Sequence, residues 1–503
     1  MTDPAHPLRN GYGLDPEDWD ELRRLGHRMV EDVIDGFESL RERPVWQPVP
    51  AETREHFRTP LPLEPMGAEA AYEEFRRYVS PYPRGNSHPR FWGWVNGSGL
   101  PLAAFAELLA GAMNSSVSGF ESAAPLVEEQ VLAWLKEMLG FPASTSALLT
   151  SGCSMSNIVG LAVARSSKAP VDVRRSGIAA TPRRMVFYAS SEAHSSIPKA
   201  AELLGLGSEA LRSIPADRDF RIDADALEAA IEADRRNGAQ PFCVVANAGT
   251  VNTGAIDDIA RLADICMAHD LWLHVDGAFG ALAWLCPELR PKLAGLQRAD
   301  SLAFDLHKWM YLPYDVGCVF VQDARAHRDA FAVSPSYLSE TMEGAAARTT
   351  SFADYGIELS RRFRALKVWL ALKAHGLQSF EQQIRENLRQ AAFLAARVEA
   401  HPDLELAVPV PLNIVCFRYI DRKARAEELD QLNHDVLIRL QTSGIALPSH
   451  AVLHGRFVIR TAITNHRSEY SDFDILVNAV ARLGAELGSG TGRNALAQRS
   501  GSP

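Results

Sequence analysis

The sequence has few cysteines and no hydrophobic run long enough to cross a membrane. Among 503 residues there are six cysteines, Cys153, Cys243, Cys266, Cys286, Cys318 and Cys416, with no C-x-x-C pair. This scatter excludes a disulfide scaffold and favours reduced thiols. The longest apolar stretch, near Leu100–Met113, is interrupted by Glu107. It is too short to span a bilayer.

Positive charge is also scarce. Lys and Arg total 52 against 62 Asp and Glu, so the formal net charge is −10. This balance argues against nucleic acid as a general partner, because phosphate binding needs a positively charged surface. The N-terminus lacks the basic and apolar regions of a secretory signal, so we expect a cytoplasmic protein without a membrane partner. A hydrophobic content of 47% is ordinary for a folded chain and excludes a wholly disordered one.

Residues 1–99 are predicted to wrap around other parts of the protein. Apolar residues recur at helical spacing from Trp19 to Leu40, after a helix-start signal at residues 15–17. Prolines then punctuate residues 44–89, which indicates an extended path. Such a segment buries little against itself, so we expect it to pack on a second subunit.

The middle of the chain, residues 100–366, alternates short apolar runs with helical patterns. Buried strands are predicted at Met185–Ser190, Phe242–Ala246, Leu271–Val275, Ser301–Phe304 and Cys318–Val321. The alternation predicts a mainly parallel α/β sheet with ligands at the carboxyl ends of its strands. Residues 367–487 are predicted to form a smaller α+β domain, and the small, polar residues 488–503 a disordered tail.

Two segments could bind an anion and a flat ligand. Residues 150–157 (TSGCSMSN) open a helical run, and their small side chains leave backbone N–H groups accessible as a phosphate cup. Plain helix capping is the commoner explanation of such a turn. His194 follows the strand Met185–Ser190, where it could stack on a ligand and donate a proton. Taken alone, it is more simply an interior histidine.

Two further segments carry a carboxylate and an amine at strand ends. Asp276 ends a strongly apolar strand, where it is costly to bury unpaired, and a protonated ring nitrogen is a natural partner. Lys308 follows the next strand, and a lysine in an apolar setting can become a neutral nucleophile toward an aldehyde. A metal site built from His269, His274 and Asp276 is rejected, because His269 lies on the preceding helix and no further ligand follows at useful spacing.

In this order the four segments resemble the group II pyridoxal-phosphate amino-acid decarboxylases, the family of aromatic-L-amino-acid and histidine decarboxylases. Further matching segments are residues 88–91, 131–142, 335–338, 361–364 and 457–460. The resemblance implies an α/β, type I PLP-enzyme fold: a mainly parallel seven-stranded sheet flanked by helices, with an N-terminal helical layer and a small C-terminal α+β domain. It also implies a homodimer with active sites at the interface.

The cofactor implied by the resemblance is pyridoxal 5'-phosphate (PLP). Lys308 would bind it covalently, and Asp276 would pair with its ring nitrogen and make the ring an electron sink. His194 and Ala278 would contact opposite ring faces. The other implied cofactor residues are Cys153, Ser154, Asp305 and His307 near the phosphate, and Thr250 near the ring oxygen. Many animal members have Asn where Asp305 stands, and a carboxylate beside a phosphate is unfavourable.

Tyr337 lies in a segment, residues 334–355, that is rich in Ser, Thr, Gly and Ala. The segment resembles the family's mobile catalytic loop, which closes over the neighbouring subunit's site. Tyr337 would return a proton after carbon dioxide leaves, and Phe at this place goes with oxidative aldehyde formation. Tyr337 therefore favours amine production. With Lys308, His194 and Asp276 it completes the predicted catalytic set.

The predicted substrate is an L-amino acid with an aromatic or imidazole side chain, converted to the amine and carbon dioxide. Phe91, Trp92, Trp94 and Phe120 stand where family members line the side-chain pocket, although a core position is an equally open interpretation. Ser360 favours phenolic or imidazole over indolic substrates by the same resemblance. The alternatives are another type I PLP enzyme, such as an oxidative aldehyde synthase or aminotransferase, and a silent paralogue that serves as a binding subunit.

Overall fold

Helices and strands alternate through the middle of the chain, as the apolar pattern predicts. The computed structural model describes residues 14–118, 121–333 and 350–489. Its helices are α1 Trp19–Glu38, α2 Ala51–His56, α3 Ala68–Glu74, α4 Pro101–Met113, α5 Ala123–Leu139, α6 Cys153–Lys168, α7 Val173–Ser176, α8 Ser196–Leu203, α9 Ala224–Arg236, α10 Ile259–Ala268, α11 Leu306–Trp309, α12 Ala324–Phe331, α13 Ala365–Glu399, α14 Ala426–Thr442 and α15 Tyr470–Gly488. Its strands are β1 Phe91–Trp92, β2 Ser146–Thr150, β3 Met185–Ser190, β4 Leu211–Ile214, β5 Gln240–Asn247, β6 Trp272–Asp276, β7 Ser301–Asp305, β8 Gly317–Val321, β9 Leu404–Leu406, β10 Ile414–Tyr419, β11 Leu447–Leu453 and β12 Arg456–Ala462.

The larger sheet has seven strands in the order β2-β8-β7-β6-β5-β3-β4. Strand β8 runs antiparallel to both of its neighbours, and the other pairings are parallel. The predicted mainly parallel α/β sheet is therefore confirmed, and all five predicted strands are present. The prediction missed β2 and β4. Strand β4 (LRSI) is only partly buried, so it carries no continuous apolar signal.

The smaller sheet has the order β1-β11-β12-β10-β9. Strand β1, from the N-terminal segment, pairs in parallel with β11 near the other end of the chain. Helix α13 changes direction at Gly376, where φ is 69°, a value that glycine adopts without strain. The domain boundaries at residues 99, 366 and 487 stay predictions.

Parallel strands place three polar residues at one edge of the large sheet. Asn247 at the end of β5 is in register with Asp276 at the end of β6, and Asp305 ends β7. Within the described ranges, no helix is long and apolar enough to cross a membrane.

Candidate active site

A cavity of about 540 Å³ opens at the carboxyl ends of β5, β6 and β7. It brings together eight residues that the sequence predicts for the cofactor: Cys153, Ser154, His194, Asp276, Ala278, Asp305, His307 and Lys308. They come from four separate parts of the chain, each at a strand end or a helix start. The position at the carboxyl edge of a parallel sheet is the usual one for a ligand in an α/β fold.

Asp276 is a buried carboxylate held by three donors. Its Oδ2 accepts a hydrogen bond from Asn157 Nδ2 at 2.9 Å. Its Oδ1 accepts from the backbone N–H of Ala278 at 3.1 Å and lies 3.5 Å from Cys153 Sγ. These contacts satisfy the carboxylate despite an exposed fraction of 5%. They fix its orientation at the cavity wall.

Lys308 is paired with Asp305. Its Nζ lies 3.0 Å from Asp305 Oδ2, and the carboxylate is buried. Burial acts to lower the pKa of Lys308, but the charge of Asp305 and the hydrogen bond to it raise that pKa above its usual value. The expected neutral lysine is therefore wrong for this arrangement, because a buried counter-ion favours the ammonium form. The amine must give up a proton before it can attack an aldehyde.

The start of α6 is an anion-binding position that Asp305 already occupies. Gly152 precedes the helix with a φ of 148°, and a Cβ there would lie 3.3 Å from His307 Cε1. The backbone N–H of Cys153 donates to Asp305 Oδ1 at 2.6 Å. Backbone N–H groups at the start of a long helix have no carbonyl partner within the helix, so they favour a negatively charged group there. The predicted phosphate cup is thus shaped for an anion and bounded by a carboxylate.

His194 is held at the cavity wall by the start of α8. Its Nδ1 accepts a hydrogen bond from the backbone N–H of Ser196 at 3.2 Å and lies 2.9 Å from Ser196 Oγ. Burial lowers the pKa of His194, and the nearby Asp276 offsets only part of that effect. The neutral imidazole is therefore the favoured form. His307, also buried with a lowered pKa, lies 3.6 Å from Asp305 Oδ2 through Nε2.

Several lining residues carry no signal in the sequence. The Tyr314 ring lies 4.3 Å from the ring of His307, and its hydroxyl donates to Asn96 Oδ1. The Arg84 guanidinium lies 4.7 Å from the centre of the Trp94 ring. All of them line the cavity. Arg84, Val95 and Asn96 reach the cavity from the N-terminal segment, and local sequence spacing does not predict this approach.

Not every predicted pocket residue reaches the cavity. Trp94 lines it, but Phe91 and Trp92 do not. The two-residue strand β1 carries both into the core, where Trp92 stacks on Phe473 with ring centres 4.9 Å apart. Their interpretation as core aromatics is the better one.

Four further predicted site residues do not line the cavity or lie outside the described residues. Ser360 is exposed, away from the lining residues. Thr250 is buried next to the cavity, and its Oγ1 accepts from the backbone N–H of Ala255 at 3.1 Å. Its contact with the cofactor stays a prediction. Phe120 and Tyr337 lie outside the described residues.

The donor set fits PLP. One cavity presents an amine, a fixed carboxylate and the N-terminus of a helix, and its volume admits a molecule of that size. Among the residues that the structure describes, no group of three or more His, Cys, Asp or Glu could hold a metal ion.

Comparison with known proteins agrees with this geometry. A family model described as the pyridoxal-dependent decarboxylase conserved domain matches residues 50–420. The chain is 34% identical to an aromatic-L-amino-acid decarboxylase of Bacillus atrophaeus, over 93% of this chain and 96% of that one. It is 27% identical to a phenylacetaldehyde synthase of Arabidopsis thaliana, over 91% and 94%. A crystal structure of Oryza sativa TDC with PLP and tryptamine superposes with a TM-score of 0.87 at 28% identity, covering 94% of this chain and 100% of that one.

The chain therefore belongs to the pyridoxal-dependent decarboxylase family. It is a PLP-dependent amino-acid decarboxylase with the fold of the solved PLP decarboxylases. The fold class, the enzyme class and the cofactor predicted from the sequence are confirmed.

Proposed function

We propose that this chain converts an L-amino acid with an aromatic or imidazole side chain to the amine and carbon dioxide. The observation that carries the proposal is the shared cavity of Lys308 and Asp276. An amine and a hydrogen-bonded carboxylate that line the same cavity suit the aldehyde and the ring nitrogen of PLP. When bound, PLP supplies an electron-accepting ring for the electron pair that remains after carbon dioxide leaves.

The protein's own groups then have separate tasks. Lys308 would hold the cofactor through its amine. Asp276, held by Asn157 and Ala278, keeps a proton on the ring nitrogen. His194 would lie against the cofactor and, with Tyr337, is a candidate for orienting the substrate carboxylate. Decarboxylation requires that carboxylate to stand perpendicular to the ring plane, so its orientation selects the reaction.

The residues that line the cavity favour a substrate with a flat side chain. Trp94 and Tyr314 present aromatic surface at the cavity wall, and Arg84 lies over the Trp94 ring. Aromatic walls favour flat, apolar groups. Ser360 is exposed and does not line the cavity, so the preference for phenolic or imidazole over indolic substrates rests on the resemblance.

An oxidative aldehyde synthase is the second candidate function, because the chain is similar to the phenylacetaldehyde synthase. Tyr337 opposes it, since the resemblance associates Phe at that place with aldehyde formation. The two reactions differ in their products. The synthase consumes oxygen and releases an aldehyde, whereas the decarboxylase releases the amine without oxygen.

The test is a substrate panel. Purified protein loaded with PLP is incubated with each of the twenty common amino acids and with DOPA, and carbon dioxide, amine, aldehyde and oxygen are measured. We expect carbon dioxide and amine in equal amounts from an aromatic amino acid or histidine, with no oxygen uptake. Aldehyde with oxygen uptake would favour the synthase. Carbon dioxide from none of them, with PLP bound, would favour the silent paralogue.

The exposed apolar surface supports a homodimer. On α1, Leu22, Met29 and Val33 are exposed although they follow helical spacing, and only Leu25 is buried. Further exposed apolar residues lie after α2, directly after α3 and on α4: Phe57, Leu61, Leu63, Phe75, Leu108, Leu109 and Met113. Several exposed large apolar side chains on neighbouring parts of the sequence are typical of a protein interface. We expect the protein to sediment as a dimer. If the Leu108→Glu variant sediments as a monomer, the interface includes α4.

A cytoplasmic location, an amino acid as the small-molecule substrate and the absence of a membrane partner complete the proposal. All six cysteines are unpaired and buried, as in a protein that keeps reduced thiols. The absence of a nucleic-acid partner stays a prediction from the net charge.

A further inference from the structure

A chain of buried side-chain hydrogen bonds runs beneath the cavity, and Asn157 on α6 is its branch point. Asn157 Oδ1 lies 2.9 Å from His274 Nε2. Its Nδ2 donates to Asp276 Oδ2 at 2.9 Å and to Ser196 Oγ at 3.0 Å. Asn157 and His274 have no exposed surface, and Ser196 has 3%. None of these bonds can be exchanged for bonds to bulk water.

The contacts determine which way the Asn157 amide points. Asp276 offers only acceptor oxygens, so the amide NH₂ group must face it and the carbonyl must face His274. His274 then donates through Nε2. Its Nδ1 lies 2.8 Å from Ser301 Oγ, which accepts from Trp272 Nε1 at 2.8 Å. Burial lowers the pKa of His274 to about 4, which agrees with a neutral ring that donates once and accepts once.

The other branch determines the tautomer of His194. The backbone N–H of Ser196 donates to His194 Nδ1, so that nitrogen carries no proton. The Ser196 hydroxyl lies 2.9 Å from the same nitrogen and accepts from Asn157. The single proton of the neutral ring is therefore on Nε2, and His194 can donate but not accept through that nitrogen.

We infer that Asn157 is a positioning residue that orients both cofactor-facing groups: it fixes the Asp276 carboxylate directly and, through the Ser196 hydroxyl, adds a second donor to His194 Nδ1 beside the backbone N–H of Ser196. This inference rests on the proposed roles of Asp276 and His194. Without the amide, Asp276 Oδ2 loses its donor, because the remaining contacts, Ala278 N and Cys153 Sγ, reach Oδ1. Removing a hydrogen bond to a charged group weakens the function of that group by about 10- to 100-fold.

Three variants separate the two branches. Asn157→Leu removes the hydrogen bonds to Asp276, Ser196 and His274 and the 3.9 Å contact with Cys153 Sγ, whereas Asn157→Asp keeps the volume and the acceptor for His274 but removes both donors. Ser196→Ala removes the hydroxyl that links Asn157 to His194. The matched control is Asn433→Leu, because Asn433 is equally buried and bonds the backbone of Tyr419 in the smaller sheet.

The first readout is the PLP dissociation constant, titrated by visible absorbance without any amino acid. The second is thermal unfolding of the cofactor-free protein. We expect both Asn157 variants to bind PLP about 10- to 100-fold more weakly, whereas Asn433→Leu lowers the unfolding temperature and leaves PLP affinity unchanged. Ser196→Ala should change PLP affinity less than the Asn157 variants and alter the pH dependence of turnover.

The inference would be overturned if PLP affinity fell in all four variants only in proportion to the loss in unfolding temperature. It would also be overturned if Asn157→Asp bound PLP with wild-type affinity. Because PLP binding is measured without substrate, this result is independent of the proposed reaction. The wild-type substrate panel tests that reaction separately.

Discussion

Acid should unfold this protein through its buried histidines. His274 and His327 have no exposed surface, and burial lowers the pKa of each to about 4. His327 is held as a neutral ring, with Nδ1 2.8 Å from Ser146 Oγ and Nε2 2.9 Å from the carbonyl oxygen of Tyr355. In the unfolded chain a histidine has a pKa of about 6.5.

The direction in which the unfolding free energy changes with pH follows from these pKa values. A base whose pKa is lower in the folded state binds fewer protons there, so stability falls as pH drops from about 6.5 toward 4. Between pH 7.5 and 5 each histidine costs about 2 kcal/mol of unfolding free energy. Asp257 acts in the opposite direction, because burial raises its pKa to about 6, and uptake of its proton returns about 1 kcal/mol. From these three groups the net loss is about 3 kcal/mol.

The measurement is a urea titration at pH 7.5 and at pH 5, followed by tryptophan fluorescence. In His327→Gln, which keeps an N–H for the Tyr355 carbonyl, the free-energy difference between the two pH values should shrink by about 2 kcal/mol. His450→Gln is the control, because His450 is exposed. Equal pH dependence in wild type and His327→Gln would refute the reasoning.

Three substitutions test the catalytic assignments. Lys308→Ala should abolish the visible absorbance of covalently bound cofactor, and a persisting band would contradict the lysine assignment. Asp305→Asn keeps an acceptor for the Cys153 N–H and removes a negative charge beside the cup, so PLP should bind about ten-fold more tightly in an absorbance titration; weaker binding would show that the carboxylate supports the cofactor. Tyr337→Phe should reduce amine yield, measured by chromatography, by about 10²- to 10⁴-fold with unchanged PLP binding. An unchanged yield would remove its acid role.

Local patterns were sufficient to predict much of this protein. Apolar runs of strand length separated by helical patterns predicted the α/β sheet, because burial on both faces leaves a continuous apolar signal. Asp276 and Lys308 could be chosen because each follows such a run, and parallel strands bring their carboxyl ends to one edge. The resemblance added the cofactor and the roles, and eight of the predicted cofactor residues line one cavity.

Other features depended on contacts between distant parts of the chain. Phe91 and Trp92 pack in the smaller sheet because β1 pairs with β11. A local sequence pattern does not predict a partner more than 350 residues away. Asp305 raises the pKa of Lys308, although the sequence pattern predicts a neutral amine. Asn157 lies in a segment whose sequence predicts a phosphate cup, yet its side chain forms hydrogen bonds with His274, Asp276 and Ser196. Residue type and spacing determine which elements form and what chemistry they can carry, whereas pairing between elements decides which side chains meet and in which protonation state.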